Sequence, residues 1–433
     1  VSGRQGSEPA GSGGWRAAII PPPMAAPLSL AVLLGAVLPA QEWTRFRGPD
    51  GSGLSGATTI PAGWSESSCN WRVKLPGIGH SAPVLWGEKV FLTSAEGEGA
   101  ERLVLCLRAA DGSTAWARRY ASKTFKKHQR NSYATSTPAT DAERVYAVFS
   151  TPEAYHLRAL DHTGGEVWSR DLGPYTSNHG DGASPVVFED LVVLGNEQDG
   201  ESFLIALDRK TGETRWKTSR ATANTAYATP AVYREGDRPA LLFSSQAHGV
   251  YSVDARTGEP IWEAKVFDKR AVSSPIFAGG LAIGTCGSGG GGSYAVGVRP
   301  GGKGDVAGSR VAWKLTRAIP YVPSPIAKGD LLFLWGDMGI VTCAEISTGK
   351  VLWQNRVGGN YSGSPVCAGE RIYCISDDGE AVVIAASREY KLLARNPLGE
   401  ASRSTPAVAG GRMYLRTESH LISVGGRKPE GIP

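Results

Sequence analysis

The sequence is short of methionine, of cysteine and of net charge. Three Met and six Cys occur in 433 residues, and the formal charge is only +5. A broad nucleic-acid footprint needs a stronger basic bias, so no nucleic-acid partner is expected. Cys69, Cys106, Cys286, Cys343, Cys367 and Cys374 are scattered, with no two adjacent and no obvious disulfide framework. Disorder as the main state is excluded by 41% hydrophobic and 20% charged residues. Glycine and tryptophan are abundant instead. The 56 glycines are about 13% of the chain, near twice the usual ~7%. A folded chain so rich in Gly needs many tight turns between short strands, so an all-β protein is expected.

One long uncharged run stands apart, from Ala17 to Ala40, with its apolar centre at Leu28–Leu38. It reads as a secretory signal and cleavage site; Pro21-Pro22-Pro23 argues against a membrane-spanning helix. Translation starts at Val1 or at Met24. The expected layout is a signal and upstream segment over 1–40 and an extension over 41–69. One domain follows over 70–425, then a tail over 426–433. The mature chain is expected to be exported, periplasmic or extracellular, monomeric, and without a transmembrane span.

A repeat governs the remainder. A Ser/Thr-x-Pro or Ser-Pro step followed by a short strand occurs at Pro83, Pro138, Pro185, Pro230, Pro275, Pro325, Pro365 and Pro406. A second mark is a turn followed by Trp, as in Asp208-Arg-Lys-Thr-Gly-Glu-Thr-Arg-Trp216 and Asp254-Ala-Arg-Thr-Gly-Glu-Pro-Ile-Trp262. The third copy reads as four strands: a at Ser184–Phe188, b at Leu191–Leu194, c at Ser202–Leu207 and d at Glu213–Lys217. A period of ~40–50 residues with four strands is the mark of propeller blades. The eighth copy ends after strand c. Its missing strand d is available at Asn70–Leu75, so the expectation is an eight-bladed β-propeller of four-stranded antiparallel blades, closed by the N-terminal strand.

Trp71, Trp116, Trp168, Trp216, Trp262, Trp313 and Trp353 occupy one repeated position on strand d. Each is expected to pack against the neighbouring blade and to be structural. Cys106 and Cys343 share a position where other copies have Ala or Ser, which suits a small buried residue. Cys367 and Cys374 lie on one hairpin, but its short turn pairs Cys367 with Ile372, off register for a bridge.

The Ala-Leu-Asp-x-x-Thr-Gly-x-x-x-Trp pattern at Ala206–Trp216 resembles the pyrroloquinoline quinone (PQQ) enzyme repeat. Eight such copies resemble the quinoprotein dehydrogenase propeller and the BamB-like outer-membrane assembly factors, over about residues 43–425. Phe46–Gly53, Lys127–Ala134 and Gly195–Phe203 resemble segments of an exported bacterial PQQ-like group without established activity. The quinoprotein likeness implies PQQ, calcium and an adjacent cysteine pair. This chain has no such pair, and its calcium ligands cannot be assigned residue by residue. No catalytic residue, metal or cofactor is therefore expected.

Topology places the candidate site. With strand a lining the channel, the d–a crossings and b–c loops share one face. The crossings supply ligand-binding candidates at the channel mouth: His80, Asn131, Tyr133, His179, Asp181, Asn224, Tyr227, Tyr321, Tyr361 and Arg403. The same face carries partner candidates of both signs: Lys126, Lys127 and Arg130 against Glu197, Asp199, Asp377 and Asp378. Gly287–Ser293 falls in the fifth b–c loop and is no phosphate loop, since no Gly-Lys-Ser/Thr follows. The expected function is binding or scaffolding of a protein or peptide partner in the cell envelope. A PQQ-dependent alcohol or sugar dehydrogenase is the first alternative. A metal-dependent enzyme or carbohydrate binder at the mouth, built on His80, His179 and Asp181, is the second.

Overall fold

A computed structural model describes residue 14, residues 42–222 and residues 224–426. The chain divides into Val1–Pro39 and Ala40–Pro433. The expected export signal lies outside the described residues. No helix among the described residues is long and apolar enough to cross a membrane.

Alternating β-branched and small residues between Gly turns fold as eight antiparallel four-stranded blades, seven of them following the chain from inside to outside, and two of them carrying a short fifth strand in parallel. Blade 3 is representative. Strand a is Val186–Phe188, b is Leu191–Asn196, c is Ser202–Asp208 and d is Thr214–Arg220. Strands b and c are buried along most of their length, and strand d alternates toward solvent. The core therefore lies between blades.

The last blade takes Ala407–Ala409, Arg412–Arg416 and His420–Gly425 as its inner three strands. Its outer strand is Trp71–Lys74, antiparallel to His420–Gly425, with Trp71 opposite Ser423 and Lys74 opposite His420. The Asn70 and Leu75 N–H groups extend the pairing to Ser423 and Ser419. The N-terminal strand thus closes the ring and removes two open sheet edges.

The repeated residues each have a physical task. The rings of Trp71, Trp116, Trp168, Trp216 and Trp313 lie on the glycine of the next blade's c–d turn. A Cβ on Gly212, whose φ is +72°, would come within 2.7 Å of the Trp168 ring. The indole N–H groups donate to backbone carbonyls of the next blade: Trp71 to Ala109, Trp116 to His162, Trp168 to Arg209, Trp216 to Ala255, Trp313 to Ile346 and Trp353 to Ser387. Trp262 donates to the Glu235 carboxylate instead. The following blade has no Thr-Gly turn, and Gly304–Asp305 from its c–d excursion runs parallel to Trp262-Glu263.

The Ser/Thr before each Pro forms a seam around the channel. The backbone N–H of residue 82 donates to the Thr137 hydroxyl, Thr137 to Ser184, and Thr229 to Ser274, at 2.9, 3.0 and 2.9 Å. Ser274 donates to Ser324, Ser324 to Ser364, and Ser364 to Thr405, at 3.0, 3.0 and 2.9 Å. Proline next to this position has no N–H to satisfy on the inner edge. Blade 1 has Ala82 where a hydroxyl would stand. There the buried Arg416 reaches across the closure and donates through Nη1 to Ser81 O, Ser81 Oγ and Thr93 O.

The extension before the closing strand is a channel plug. Trp43 exchanges both backbone bonds with Leu85, and Thr44 O accepts from Thr140. Arg45 donates to Pro230 O at 2.7 Å, Arg47 to Pro325 O, and Gly53 O accepts from Cys367. Leu54–Ser55 then runs parallel to Val366–Ala368 in blade 7. These contacts touch blades 1, 2, 4, 6 and 7 at the end of the channel where strands a turn into b. Gly53 has φ +76°, and a Cβ there would meet Ile326 at 2.7 Å, which explains the glycine. All six cysteines are free, and Cys367 stands opposite Ile372.

Candidate functional site

The open end of the channel is a cup of about 1050 Å³. Every d–a crossing contributes to its wall, and Phe46 of the plug lines it from below. Small Ser and Thr residues at the seam leave the centre open. Longer polar side chains project from the preceding crossings because each crossing climbs from an outer strand to the inner one.

Of the expected mouth residues, His80, Asn131, His179, Asp181, Asn224, Tyr227, Tyr321 and Arg403 line the cup. Tyr133 and Tyr361 do not. The Tyr133 hydroxyl donates to Phe125 O at 2.6 Å and accepts from Phe125 N–H, while Arg102 covers its ring at 4.5 Å. It fastens the first crossing to its own blade. Tyr361 is buried edge-on to Trp335, with centroids 5.3 Å apart, inside the contact between blades 6 and 7.

The cup is organised by hydrogen bonds between crossings. Asn131 Nδ2 donates to His179 O and Asp181 O at 2.7 and 2.8 Å, tying the first crossing to the second. Ser177 and Tyr227 share a hydroxyl contact at 2.9 Å. Asn224 accepts from Arg270 Nη2 at 3.0 Å, and Arg270 Nη1 faces His179 Nε2 at 3.4 Å. His179 stacks on His128 at 5.2 Å. Burial and the neighbouring Arg270 and His128 hold the His179 imidazole below its ordinary value. His80 is pushed down to about 3 by burial and by Arg403, Arg416 and Lys127. Both rings are neutral at pH 7.

The acids of this face are mostly committed internally. Asp337 accepts the Tyr321 and Val322 N–H groups, and burial raises its carboxyl. Asp199 accepts from Thr225 N–H and Oγ1 at 2.7 and 2.8 Å. Asp377 accepts from Ser362 Oγ at 3.1 Å. Asp199 and Asp377, expected to face a partner, therefore brace crossings, whereas Asp378 is exposed. Glu197 corrects the expected rim more strongly. It is buried, and its Oε2 accepts from Tyr251 OH at 2.7 Å. A b–c loop that folds inward between blades 3 and 4 puts it there. Among the basic candidates, Lys127 Nζ is used on Asn131 O at 2.7 Å, while Lys126 and Arg130 are exposed.

Burial raises Glu197 to about 7, against the opposing pull of Tyr251 and Arg220. Between its ordinary value and about 7 the folded chain holds a proton that the unfolded chain has lost. Stability must therefore fall as pH rises through that window, by on the order of 3 kcal/mol at 1.36 kcal/mol per unit. Glu197→Gln is expected to flatten this pH dependence. Urea unfolding at pH 5 and pH 8 checks it; equal slopes in both proteins would contradict it.

Residues that the sequence did not single out also line the cup: Phe46, His128, Lys269, Arg270 and Asp337. Arg270 precedes Pro275 by an offset comparable to that of Asn224 before Pro230, so the repeat itself could have marked it. Nothing periodic marks Phe46.

The donor set does not suit a resident cation. Among the described residues no three His, Cys, Asp or Glu side chains converge on one point. The Asp337 oxygens are taken by backbone N–H groups, and Asp268 is taken by Tyr294 OH at 2.7 Å. A calcium-held quinone therefore finds no ready ligand set.

A family model described as outer membrane protein assembly factor BamB matches residues 67–289 and 305–424. No curated protein matches the chain. Among solved structures, the chain is similar to BamB from Moraxella catarrhalis, with 18% identity and TM-score 0.58, covering 84% of this chain and 99% of that one. It is similar to the quinohemoprotein alcohol dehydrogenase of Comamonas testosteroni at 12% identity and TM-score 0.63, covering 90% and 82%. The quinohemoprotein alcohol dehydrogenase ADHIIG of Pseudomonas putida HK5 gives 13% and 0.62, covering 91% and 81%. At such identities these likenesses concern the fold alone.

Proposed function

Because the chain belongs to the outer membrane protein assembly factor BamB family, we propose that it is an exported, monomeric propeller that binds a protein or peptide partner of the cell envelope. The observation that carries this reading is the cup on the crossing face. It is lined by residues of all eight crossings and by Phe46 of the plug. A concave polar site with converging donors and acceptors suits recognition. The blades supply shape and rigidity, and the crossings supply the contacts.

The quinoprotein oxidoreductase is the weaker reading. It needs a calcium and quinone ligand set, and the committed Asp337 and Asp268 carboxylates speak against one. The protein works, on this proposal, without a resident metal or cofactor.

The test is face-resolved photo-cross-linking in envelope extract. A photoreactive residue replaces Arg130 or Asp378 on the crossing face, or Lys210 or Lys350 in c–d turns on the opposite face. All four positions are exposed.

A further inference from the structure

The charges of the crossing face are paired asymmetrically. Many of its acids are answered within the chain. Glu101 pairs with Arg119 at 2.9 Å, Glu153 with Lys123 at 2.7 Å and Glu201 with Lys217 at 3.0 Å. Several of its cations have no close salt bridge to an acid among the described residues. Arg270 is held by Asn224 and His179, both neutral, and its buried Nε has no partner among the described residues. Lys269 Nζ reaches only the Gly291 carbonyl, at 3.2 Å. Arg130 projects into the cup region and has no salt bridge among the described residues. Arg403 has only long contacts, 3.8 Å to Asp377 and 3.6 Å to Glu418.

Resting on the binding reading above, we propose that the cup recognises an acidic segment of its protein partner, with Arg270 as the anchor for a carboxylate. A guanidinium presents a planar fork that matches a carboxylate. Here Asn224 and His179 fix that fork before a ligand arrives, so little side-chain freedom is lost on binding. The volume of about 1050 Å³ lies just above the range for small-ligand pockets, roughly 300–1,000 Å³. That space suits several residues of chain better than a lone anion. The remaining cations stand on different crossings, so carboxylates at several points along the segment can each meet one. Charge complementarity of this kind sets partner choice and speeds encounter.

The experiment is fluorescence anisotropy on the full chain with three labelled ten-residue peptides. One is rich in Asp and Glu, one carries Asn and Gln at the same positions, and one is rich in Lys. Citrate serves as a competing small polycarboxylate. The acidic peptide is expected to bind, to weaken as NaCl rises, and to lose at least tenfold in affinity with Arg270→Gln. Arg270→Lys should recover part of that loss, with melting temperatures unchanged in both variants. Equal binding of the acidic and the Asn/Gln peptides would overturn the charge inference and leave the peptide-binding reading standing. Displacement by equimolar citrate would also overturn it, since a small anion would then suffice. Failure of all three peptides, with cross-links to the crossing face still formed, would reject the acidic segment alone. Failure of both experiments would reject the binding reading itself.

Discussion

Val73→Pro should open the propeller at its closure. Val73 stands opposite Leu421 in the final blade. The Leu75 N–H bond to Ser419 O fixes the alternation of the ladder, so the Val73 N–H points inward to Leu421. Proline removes that donor from the ladder and leaves the Leu421 carbonyl without its partner, at a cost of about 1–3 kcal/mol. The closing strand has no covalent link to the blade it completes, so its release exposes the edge of His420–Gly425 and frees the chain ahead of Ser81. We expect a lower melting temperature and new cleavage by trypsin after Lys74. Lys74→Pro is the control. Its N–H faces away from the ladder, and its loss should be smaller. Equal stability of Val73→Pro and the parent would mean that the ring does not depend on this strand.

Arg416→Ala attacks the same closure from the other side. The hydroxyl seam that links neighbouring inner strands lapses at Ala82, and Arg416 fills the gap with three donations from Nη1, at 3.0, 2.6 and 2.8 Å. The guanidinium is buried without an acid, and burial pushes it down to about 9. Alanine leaves a cavity and strips the Ser81 and Thr93 carbonyls of this donor. Each effect costs a few kcal/mol, and together about 3–5 kcal/mol are expected in urea unfolding. Arg416→Met should cost less, because it fills the space and buries no charge. A parent-like midpoint for the alanine variant would show that the seam does not need bridging there.

Most of the architecture was legible because the repeat states it in residue types. Ser/Thr-Pro marks the inner strand and its seam, Thr-Gly marks the c–d turn, and Trp marks the outer strand that packs on that Gly. The truncated eighth copy and Asn70–Leu75 together foretold the closure. The crossing face was legible from topology, and eight of the ten mouth candidates line the cup. Tyr133 and Tyr361 missed it because sequence order does not say which way a side chain turns. Glu197 was misplaced for a related reason: an acidic loop reads as solvated until its fold shows one carboxylate turned inward toward Tyr251. The plug was the largest omission. Phe46, Arg45 and Arg47 lie outside the repeat, and their contacts with Pro230 and Pro325 are too distant in sequence for any local pattern to announce them.

On the proposed function, the crossing face, not the c–d face, is where this propeller meets its partner. The photo-cross-linking comparison tests it most directly. The account predicts one adduct shared by the Arg130 and Asp378 probes and absent from the Lys210 and Lys350 probes. Adducts confined to Lys210 and Lys350, or none from either face, would contradict it.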